Sequence, residues 1–508
     1  MIRVNNIHLS LDYDDKSVRK AVAQQLRIEE KSIKSCKIFR RSVDARKKDN
    51  IYFLTTVDAE LNINEEKVCK KCGNAQIARK YEYNQMKFGN APSPIVVGAG
   101  PAGLFAALIL ARSGAKPILI ERGRDVDRRT ADVNRFWTSG KLDITSNVQF
   151  GEGGAGTFSD GKLNSGTKDI RQRKVLEEFV SHGAPDEILY NAKPHIGTDM
   201  LKGTIKNIRN EIIELGGMVM FETKLVSMAF SDNKLKSITV ETANGDEIIE
   251  TDNVILAIGH SARDTFEMLY DLKLPIEAKP FSVGARIEHL REKVDKAQYG
   301  RFAGNKKLGS ANYKLSTHLD NGRGVYTFCM CPGGKVVNAS SEENRLCTNG
   351  MSEFARDADN SNSALLVGIN PDDYESDHPL AGMYLQRKLE SKAFVAGGEN
   401  YNAPIQRVDD FLNNRKSTHL GDVKPSIGPN YEFSNLNEIL PEYVSTSMAQ
   451  GIVKMGRMLH GFDDGDAVLT GVESRSSSPV RIMRKTDTLE SVLIEGLYPC
   501  GEGAGYAG

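Results

Sequence analysis

The segment that decides the fold is residues 95–103, which read Ile-Val-Val-Gly-Ala-Gly-Pro-Ala-Gly. An apolar strand pattern opens it, and an apolar helix pattern follows over residues 102–113. Glycines at this spacing between a strand and a helix are typical of a loop that binds the diphosphate of a dinucleotide, because the amides at the helix start face the anion. The segment therefore predicts a Rossmann-like unit.

Each residue of this loop has a predicted role. Gly98 permits the tight turn after the strand, Gly100 lets the backbone approach the diphosphate, and Gly103 lets the helix pack closely against the strand. Pro101 and Ala102 begin the helix and complete the phosphate cradle. The alternative is a glycine-rich turn that holds no ligand.

The acidic residue that such a unit needs is Glu121, which follows a second apolar strand pattern at residues 117–120. It lies 23 residues after Gly98, and we expect its carboxylate to accept hydrogen bonds from both ribose hydroxyls. Arg122 beside it suits a 2′-phosphate, but an acid in the ribose position favours a free 2′-hydroxyl.

The same glycine pattern starts twice more, at Gly151 and Gly503. No helix pattern follows Gly503, and no apolar strand precedes Gly151, so neither copy predicts a second nucleotide cradle. Residues 151–162 predict a loop rich in backbone donors, suited to an anion or a flavin edge, or else a solvent loop. Its candidate cofactor contacts are Gly153, Gly154, Gly156, Ser159, Asp160, Gly161 and Lys162.

Two later segments favour FAD over NAD as the dinucleotide. Residues 251–259 predict a strand that returns under the cofactor, and a late strand at residues 497–500 leads into a glycine-acid turn aimed at the flavin. An NAD dehydrogenase needs only the cradle. The candidate contacts here are Ile258, Gly259, Gly501, Glu502, Gly503, Ala504 and Gly505, with Val226 from an apolar run at 219–230.

The fold class predicted is α/β, with a two-dinucleotide-binding-type Rossmann-like FAD domain, an inserted α+β domain and a small N-terminal α/β domain. The chain has 508 residues, too many for one compact core. The expected segments are a β-α-β-β domain at 1–88, a linker at 87–94, the first FAD-domain part at 93–270, an inserted domain at 271–470 and the last FAD-domain part at 471–508. The patterns also predict a helix at 198–215 and strands at 219–230, 235–242 and 247–258.

Composition excludes several classes of function. The formal net charge is +0, so no overall field attracts nucleic acid or an anionic membrane. The apolar run at 104–111 is too short to cross a bilayer, and the start lacks a signal-peptide pattern, so we expect a cytoplasmic protein. The 7 cysteines are an odd number, against a disulfide framework. Oligomeric state is left open.

Two cysteine pairs are candidates for redox chemistry or metal binding. Cys329 and Cys331 form a Cys-x-Cys pair that suits electron exchange with a flavin, although inert thiols in a buried strand are the preferred interpretation. Cys69 and Cys72 have the spacing of half a zinc site, with Cys36 as a third candidate ligand, but no fourth ligand follows. We therefore expect no metal.

A second set of candidates lies on a predicted strand near residue 286. Arg286 and His289 suit an anionic substrate or proton transfer, but Arg286 and Glu288 share one face of the strand, so a structural ion pair is equally favoured. The donor-rich loop at 473–479 predicts either a ligand contact or a hydrogen-bonded turn. The basic segment at 31–48 lacks interleaved aromatics, so a solvated face is preferred over RNA binding.

These motifs together resemble the uncharacterised bacterial FAD-dependent dehydrogenases, also labelled NAD(FAD)-utilizing dehydrogenases. The combination of residues 151–162 with Cys-Met-Cys-Pro-Gly-Gly at 329–334 is the specific part, and the resemblance covers the whole chain. It implies the FAD domain with an inserted domain, and no particular substrate. In such proteins a helix follows the final glycine cluster, so we expect the chain ending at Gly508 to be a fragment or to have lost that helix.

The function predicted is an FAD-dependent oxidoreductase acting on an unidentified small molecule, with NADH or NADPH as candidate reductants. Because the sequence predicts no second nucleotide cradle, NADH or NADPH would have to reach the flavin without a binding domain of its own. The alternative is a flavin-binding regulatory or interaction protein with a structural FAD, whose small N-terminal domain docks a partner.

Overall fold

The computed structural model describes residues 1–79, 81–87, 93–164, 166–167 and 169–506. Three large sheets organise these residues: an N-terminal sheet of four strands, a parallel sheet of five and a mixed sheet of seven. The predicted α/β class is confirmed. The predicted linker at 87–94 falls largely on residues 88–92, which lie outside the described residues.

The N-terminal residues fold as β-α-β-β-α-β, one helix and one strand more than predicted. The sheet order β2-β3-β1-β4, antiparallel throughout, is that of a split β-α-β unit. The last helix and strand are too short for their periodicity to be recognised in the sequence. The elements are β1 (Ile2–Leu9), α1 (Asp15–Leu26), β2 (Ile33–Asp44), β3 (Tyr52–Leu61), α2 (Glu65–Lys71) and β4 (Ala75–Ile77).

The next stretch contains the predicted strand–loop–helix unit. Its elements are β5 (Ile95–Val97), α3 (Pro101–Arg112), β6 (Ile118–Ile120), α4 (Val126–Ser139), α5 (Arg171–Ser181), α6 (Thr198–Glu214), β7 (Met218–Met220), β8 (Lys224–Ser231), β9 (Lys234–Thr242), β10 (Gly245–Glu250), β11 (Val254–Leu256) and α7 (Arg263–Asp271).

Later residues build the seven-stranded sheet, whose order is β14-β15-β18-β13-β21-β19-β20. Its central strand β13 is buried along nearly its whole length. The elements are β12 (Ile276–Ala278), β13 (Phe281–Leu290), α8 (Arg291–Tyr299), β14 (Ser316–His318), β15 (Gly324–Cys331), β16 (Lys335–Asn338), β17 (Thr348–Met351), β18 (Asn360–Ile369), α9 (Ala381–Ala396), β19 (Ala403–Arg407), α10 (Val408–Leu412), β20 (Tyr431–Phe433), α11 (Leu436–Ile439), α12 (Glu442–Gly456), β21 (Val468–Glu473), β22 (Val480–Ile482) and β23 (Leu497–Pro499).

The parallel sheet places the predicted cofactor segments side by side. Its order is β23-β11-β5-β6-β7, and every neighbouring pair is parallel. Helices α3 and α6 cover one face with a shared apolar core, and β8 and β9 contribute to the apolar core on the other. Strands β5, β11 and β23 therefore end at the same edge, where ligands of such sheets bind.

Two of the strand predictions were wrong. The run at 219–230 divides into β7 and β8, and the run at 247–258 divides into β10 and β11, with the halves in different sheets. The first run breaks at Glu222, whose φ is 52°. An apolar run indicates that its residues are buried, but it does not indicate to which sheet they belong. Among the described residues, no helix is long and apolar enough to cross a bilayer.

Candidate functional site

A cavity of about 500 Å³ opens at the carboxyl ends of β5, β6 and β11, and we call it the cofactor cavity. It brings together residues from all three predicted segments and from the 151–162 loop. The predicted residues that line it are Gly98, Gly100, Pro101, Ala102, Glu121, Arg122, Gly154, Gly156, Ile258, Gly259, Gly501 and Glu502.

Two of the three loop glycines are required by packing. Gly98 has a φ of 99°, and a Cβ there would lie 2.4 Å from the carbonyl oxygen of Ala257 in the neighbouring strand end. A Cβ on Gly103 would lie 1.8 Å from the carbonyl oxygen of Gly98, so this residue packs α3 onto the loop and does not line the cavity. Both contacts hold the loop tightly against the sheet.

The middle glycine faces the cavity instead. Gly100 is the N-terminal cap of α3 and offers no side chain to the first-turn amides, and Pro101 occupies the first helical position. A Cβ on Gly100 would meet only the Gly154 Cα, at 3.9 Å, within 4 Å. The α3 start therefore presents free backbone donors and the positive end of the helix dipole to an open space, which suits a diphosphate.

Glu121 lines the cavity, but its carboxylate is already engaged with the backbone. It accepts hydrogen bonds from the amides of Ala99 (2.8 Å), Gly123 (3.0 Å) and Gly151 (3.0 Å). A carboxylate offers about four lone-pair positions, so about one remains for a ribose hydroxyl. Glu121 thus joins the cradle to the 151–162 loop, a role that the sequence did not predict.

Arg122 lies at the same edge and is paired within the protein. Its guanidinium donates to the Asp264 carboxylate at 2.9 and 3.2 Å and to the Thr265 hydroxyl at 2.9 Å. It also lies over the Phe150 ring, 4.4 Å from the centroid. Burial alone would raise the pKa of Asp264, but the charges of Arg122 and Lys224 lower it overall, so the pair is ionised. This neutralised arginine is not free to bind a 2′-phosphate.

The 151–162 loop divides into two parts. Gly154 and Gly156 line the cofactor cavity, and a Cβ on Gly154 would lie 3.0 Å from the Gly100 Cα. Gly153 donates its amide to the carbonyl oxygen of Ala99 at 2.8 Å and is packed away from the cavity. The second part, Ser159, Asp160, Gly161 and Lys162, lies outside the lining of that cavity.

Asp160 organises this second part. It is buried, pairs with Lys162 at 3.0 Å, and accepts further bonds from Arg356 and Ser352. Burial opposes its ionisation, but the charges of Lys162 and Arg356 lower its pKa overall. Lys162 continues toward β15, with its Nζ 3.9 Å from the Cys331 Sγ.

The third segment closes the cavity opposite α3. A Cβ on Gly503 would lie 2.5 Å from the carbonyl oxygen of Gly259, so the two turns touch through their backbones. His260 lies with its Nδ1 3.1 Å from the Glu502 Oε1. Burial opposes ionisation of Glu502, but the attraction of His260 lowers its pKa overall. Ala504, Gly505 and Val226 do not line the cavity.

Sequence reasoning missed several residues of the cavity wall. Some come from segments without a glycine signature, and others lie beside the recognised glycines, where the pattern does not indicate which neighbouring side chains face the cavity. These residues are Gln149, Phe150, Thr223, Leu225, Ser261, Ala262, Thr265, Cys500 and Tyr506.

The candidates Arg286 and Cys331 do come together, next to Lys162. Arg286 is fully buried, pairs with Glu473 at 3.1 Å, and donates to the carbonyl oxygen of Cys329 at 2.9 Å. Its Nη2 lies 3.7 Å from the Cys331 Sγ. The ion pair predicted for this strand therefore exists, but its acid is Glu473 on β21 and not Glu288.

Cys329 and Cys331 occupy different environments. Cys331 is buried, and its thiol donates to the carbonyl oxygen of Cys329 at 3.3 Å. Cys329 is solvent-accessible and has a φ of 40° at an irregularity in the β15–β18 pairing. The surrounding protein raises the pKa of the Cys329 thiol to about 12, outweighing the positive charges of Lys162 and Arg286.

His289 does not join this group. It is buried on the opposite face of β13 from Arg286, its Nε2 is 2.8 Å from the carbonyl oxygen of Phe462, and burial lowers its pKa. Glu288 is also buried; it accepts hydrogen bonds from Ser426 and Asn360.

The 473–479 loop is part of a buried ion network. Arg475 pairs with Glu390 at 2.8 Å, and Glu390 pairs with Arg263 at 2.7 Å. Arg475 also donates to Ser261 at 3.1 Å. Since Ser261 lines the cofactor cavity, the network connects α9 and the loop after β21 to the cavity wall.

The cysteines of the N-terminal domain are not assembled into a metal site. Cys36, Cys69 and Cys72 are free and half-buried, and Cys72 donates to the carbonyl oxygen of Gln25 at 3.4 Å. Within the described ranges, no three His, Cys, Asp or Glu side chains converge as metal ligands do.

Three family profiles match the chain. A profile described as an FAD-dependent protein, C-terminal domain-like, matches residues 280–476. A profile described as an FAD binding domain matches residues 93–132, and a domain of unknown function matches residues 1–60. The FAD binding domain match contains the Gly98 cradle and Glu121.

Individual relatives were found among proteins and solved structures. An uncharacterized protein of Clostridium beijerinckii is 48% identical over 513 residues, covering 100% of this chain and 95% of that protein. The tRNA uridine 5-carboxymethylaminomethyl modification enzyme MnmG of Finegoldia magna is 25% identical over 279 residues, covering 51% of this chain and 39% of that enzyme. A geranylgeranyl bacteriochlorophyll reductase-like structure from Thermoplasma acidophilum aligns with 81% of this chain and 71% of its own at 12% identity, with a TM-score of 0.34.

Proposed function

Because the chain belongs to the uncharacterised family of FAD-dependent proteins that includes its Clostridium beijerinckii relative, we propose that FAD lies in the cofactor cavity and exchanges hydride or electrons with an unidentified small molecule. The cofactor is FAD, and the general activity is that of an FAD-dependent oxidoreductase. We propose which residues hold FAD and what kind of molecule reacts with it.

One observation carries the proposal: the free backbone donors of the α3 start face the cofactor cavity where Gly100 and Gly154 carry no side chain. The two glycines meet there through their backbones, because a Cβ built on Gly154 would lie 3.0 Å from the Gly100 Cα. A cavity wall of exposed backbone donors suits a diphosphate. The residues present therefore fit FAD.

The protein's own groups have separable tasks. The first-turn amides of α3 would hold the diphosphate, and the remaining acceptor position of Glu121 would hold a ribose hydroxyl. Gly501 and Glu502 would border the flavin end, with His260 fixing the Glu502 carboxylate. When bound, FAD supplies the hydride and electron chemistry.

Lys162 and Arg286 are the groups proposed to act on the substrate side. They bring two positive charges beside Cys331, at the end of the 151–162 loop that leaves the cavity. Arg286 is neutralised by Glu473, whereas Lys162 shares Asp160 with Arg356, so Lys162 is the better placed to meet an anionic group. This favours a substrate with a carboxylate or another anion.

The test is a visible absorption spectrum of the purified protein after incubation with FAD and removal of free cofactor. Bound oxidised flavin absorbs at about 375 and about 450 nm, and free protein does not. A Gly100→Val variant should take up no FAD, because its branched side chain would project into the cofactor cavity beside the α3 amides. A wild-type protein that stays colourless would contradict the proposal.

A second step identifies the reductant and separates enzyme from structural flavoprotein. NADH and NADPH are added without oxygen to the FAD-loaded protein. Bleaching by one of them would support an oxidoreductase that uses that nucleotide. A flavin that neither nucleotide nor dithionite reduces would favour the regulatory alternative.

A further inference from the structure

A second cavity, of about 710 Å³, lies between the N-terminal domain and the residues around the seven-stranded sheet. We call it the interdomain cleft. Its walls come from five segments: residues 41–45 at the end of β2, Phe53 in β3, residues 187–195, residues 298–314 and residues 354–356. It shares no lining residue with the cofactor cavity.

The cleft is positively charged, whereas the chain as a whole carries no net charge. The whole sequence has 67 basic Lys and Arg residues and 67 acidic residues. The cleft lining contains six Lys or Arg side chains and a single carboxylate, that of Glu187. The six are Arg41, Lys193, Lys306, Lys307, Lys314 and Arg356.

Four of these cations lack a carboxylate partner. Arg41 lies 3.8 Å from Glu187, and Arg356 is paired with Asp160. In the part of the chain that the structure describes, no acidic group lies within ion-pair distance of Lys193, Lys306, Lys307 or Lys314. Lys193 is accessible within the cleft, yet the surrounding protein and the charge of Arg356 lower its pKa. Unpaired cations that converge on one cavity leave a positive potential there.

Backbone hydrogen bonds join two of the segments that line the cleft. The amide of Arg41 donates to the carbonyl oxygen of Tyr190 at 2.7 Å, and the amide of Ala192 donates to the carbonyl oxygen of Arg41 at 2.8 Å. The Arg41 side chain also donates to the Asn191 amide oxygen at 2.8 Å. This short strand-like pairing docks the N-terminal domain against residues 190–192 and holds Arg41 at the cleft.

The floor of the cleft offers a flat surface as well as charge. The rings of His195 and Phe354 stack at 5.3 Å between centroids, 24° from parallel. Burial lowers the pKa of His195, and the nearby Arg356 charge lowers it further, so the ring is neutral at pH 7. A neutral stacked ring beside lysines suits a ligand with a planar or apolar part and an anionic part.

We propose that the interdomain cleft binds a small organic molecule that carries a phosphate group. The cleft volume lies within the range of about 300 to 1,000 Å³ that is usual for small-ligand sites. Several lysines around one cavity match a multiply charged phosphate, and lysine binds phosphate as a point charge. An RNA strand would instead need an open track with aromatic residues along it.

The probes are inorganic pyrophosphate, adenosine monophosphate and glucose 6-phosphate, titrated calorimetrically into FAD-loaded protein from which free FAD has been removed, because free FAD carries phosphate and would compete for the cleft. The test variant is Lys306→Gln/Lys307→Gln/Lys314→Gln, which changes three exposed side chains at the cleft. The matched control is Lys236→Gln/Lys392→Gln/Lys416→Gln, three exposed lysines outside the cleft. Circular dichroism confirms that both variants fold.

We expect pyrophosphate to bind wild-type protein and the control equally, and the cleft variant at least about tenfold more weakly, because close charges contribute most to binding at low salt. Tighter binding of adenosine monophosphate than of glucose 6-phosphate would identify a nucleotide; the reverse would identify a sugar phosphate. Equal weakening in both variants, or no binding to wild type, would overturn the proposal. So would a ten-nucleotide RNA that binds more tightly than every small probe and requires the cleft lysines. If the protein took up no FAD, the proposed function would fail, but the comparison of the cleft variant with its control would still test the cleft.

Discussion

Gly154 packs against Gly100 at the wall of the cofactor cavity, so closely that a Cβ built on Gly154 would lie 3.0 Å from the Gly100 Cα. Gly100 caps the N-terminus of α3, and Gly154 belongs to a loop more than fifty residues later in the chain. The contact holds the 151–162 loop against the α3 start, where we propose that the diphosphate binds.

Gly154→Ala should weaken FAD binding at least about tenfold, which corresponds to about 1.4 kcal/mol. The new methyl group would lie 3.0 Å from the Gly100 Cα and push the 151–162 loop away from the α3 start, and the φ of 60° at this position adds backbone strain of about 1–2 kcal/mol for an alanine. Fluorescence titration with FAD measures the affinity. The matched control is Gly322→Ala, because Gly322 has a φ of 80°, no atom within 4 Å of its Cβ position and no place in the cavity. Equal FAD affinity in the two variants would contradict the role given to the Gly154–Gly100 contact.

Glu121→Gln should reduce both FAD binding and stability. The carboxylate accepts hydrogen bonds from three backbone amides, and the glutamine NH₂ group cannot replace the lost acceptor. An unsatisfied buried amide costs about 1–3 kcal/mol. Urea unfolding and FAD titration measure the two effects. Glu222→Gln, a partly exposed acid nearby on the surface, should change neither, and a wild-type-like Glu121→Gln would refute the role given to Glu121.

The Cys329 thiol should react slowly with iodoacetamide although solvent reaches it. Its pKa is raised to about 12 by the surrounding protein, so its thiolate fraction at pH 7 is about a thousandfold below that of an ordinary cysteine. Peptide mass spectrometry measures the Cys329 labelling rate, with glutathione in the same tube as the reference thiol at pH 7. The Cys329 rate itself should rise about tenfold per pH unit between about pH 8 and pH 11. Labelling as fast as that of glutathione would indicate an activated thiol and revive the redox interpretation of the Cys-x-Cys pair.

Glu390→Gln should destabilise the protein by about 3 kcal/mol at pH 7, because the buried Arg263 and Arg475 guanidinium groups then keep only the Glu342 carboxylate between them. Glu390 is fully buried and also accepts a hydrogen bond from Ser474 at 2.6 Å. The midpoint of urea unfolding measures the loss. Glu375→Gln, at an exposed ion pair with Lys388, should leave the midpoint unchanged. A Glu390→Gln midpoint equal to that of wild type would refute the importance of the network.

The same network predicts a pH dependence. Burial opposes ionisation of Glu390, but Arg263 and Arg475 lower its pKa overall, below that of an unfolded glutamate. Its stabilisation is therefore complete above the unfolded pKa of about 4.3 and is lost as the pH falls below it toward the folded pKa. The difference between wild type and Glu390→Gln should be constant from pH 7 to 5 and shrink from pH 4 to 3. A difference that grows in acid would contradict this assignment.

The parallel sheet illustrates what local patterns predict well. Strand β5, the cradle and α3 are continuous in sequence, and every residue of β5 is buried as its apolar run predicted. The late segments at β11 and β23 were recognised in the right order for the same reason: a short apolar strand followed by a glycine turn is a local pattern. Where one apolar run crossed two sheets, at 219–230, the local pattern predicted one strand too few.

The side-chain partners were much harder to predict. Arg286 and Glu288 lie on one face of β13, as alternation requires, yet Arg286 pairs with Glu473 from a strand almost two hundred residues later. Likewise, Glu121 was expected to be free for a ribose but bonds to the amide of Gly151. Periodicity states which face a side chain occupies, while its partner depends on the element packed against that face.

The sequence by itself determined the α/β class, the cradle at Gly98–Gly103 and the identity of the dinucleotide as FAD, because these follow from short local patterns and from their order along the chain. Only the tertiary structure decided that Gly154 packs against Gly100 at the cofactor cavity, that Arg263, Glu390 and Arg475 share one buried network, and that lysines from distant segments converge on the interdomain cleft. The physical reason is that hydrophobic burial, which patterns record, is not directional, whereas charge pairing and close backbone contact depend on which distant segments meet.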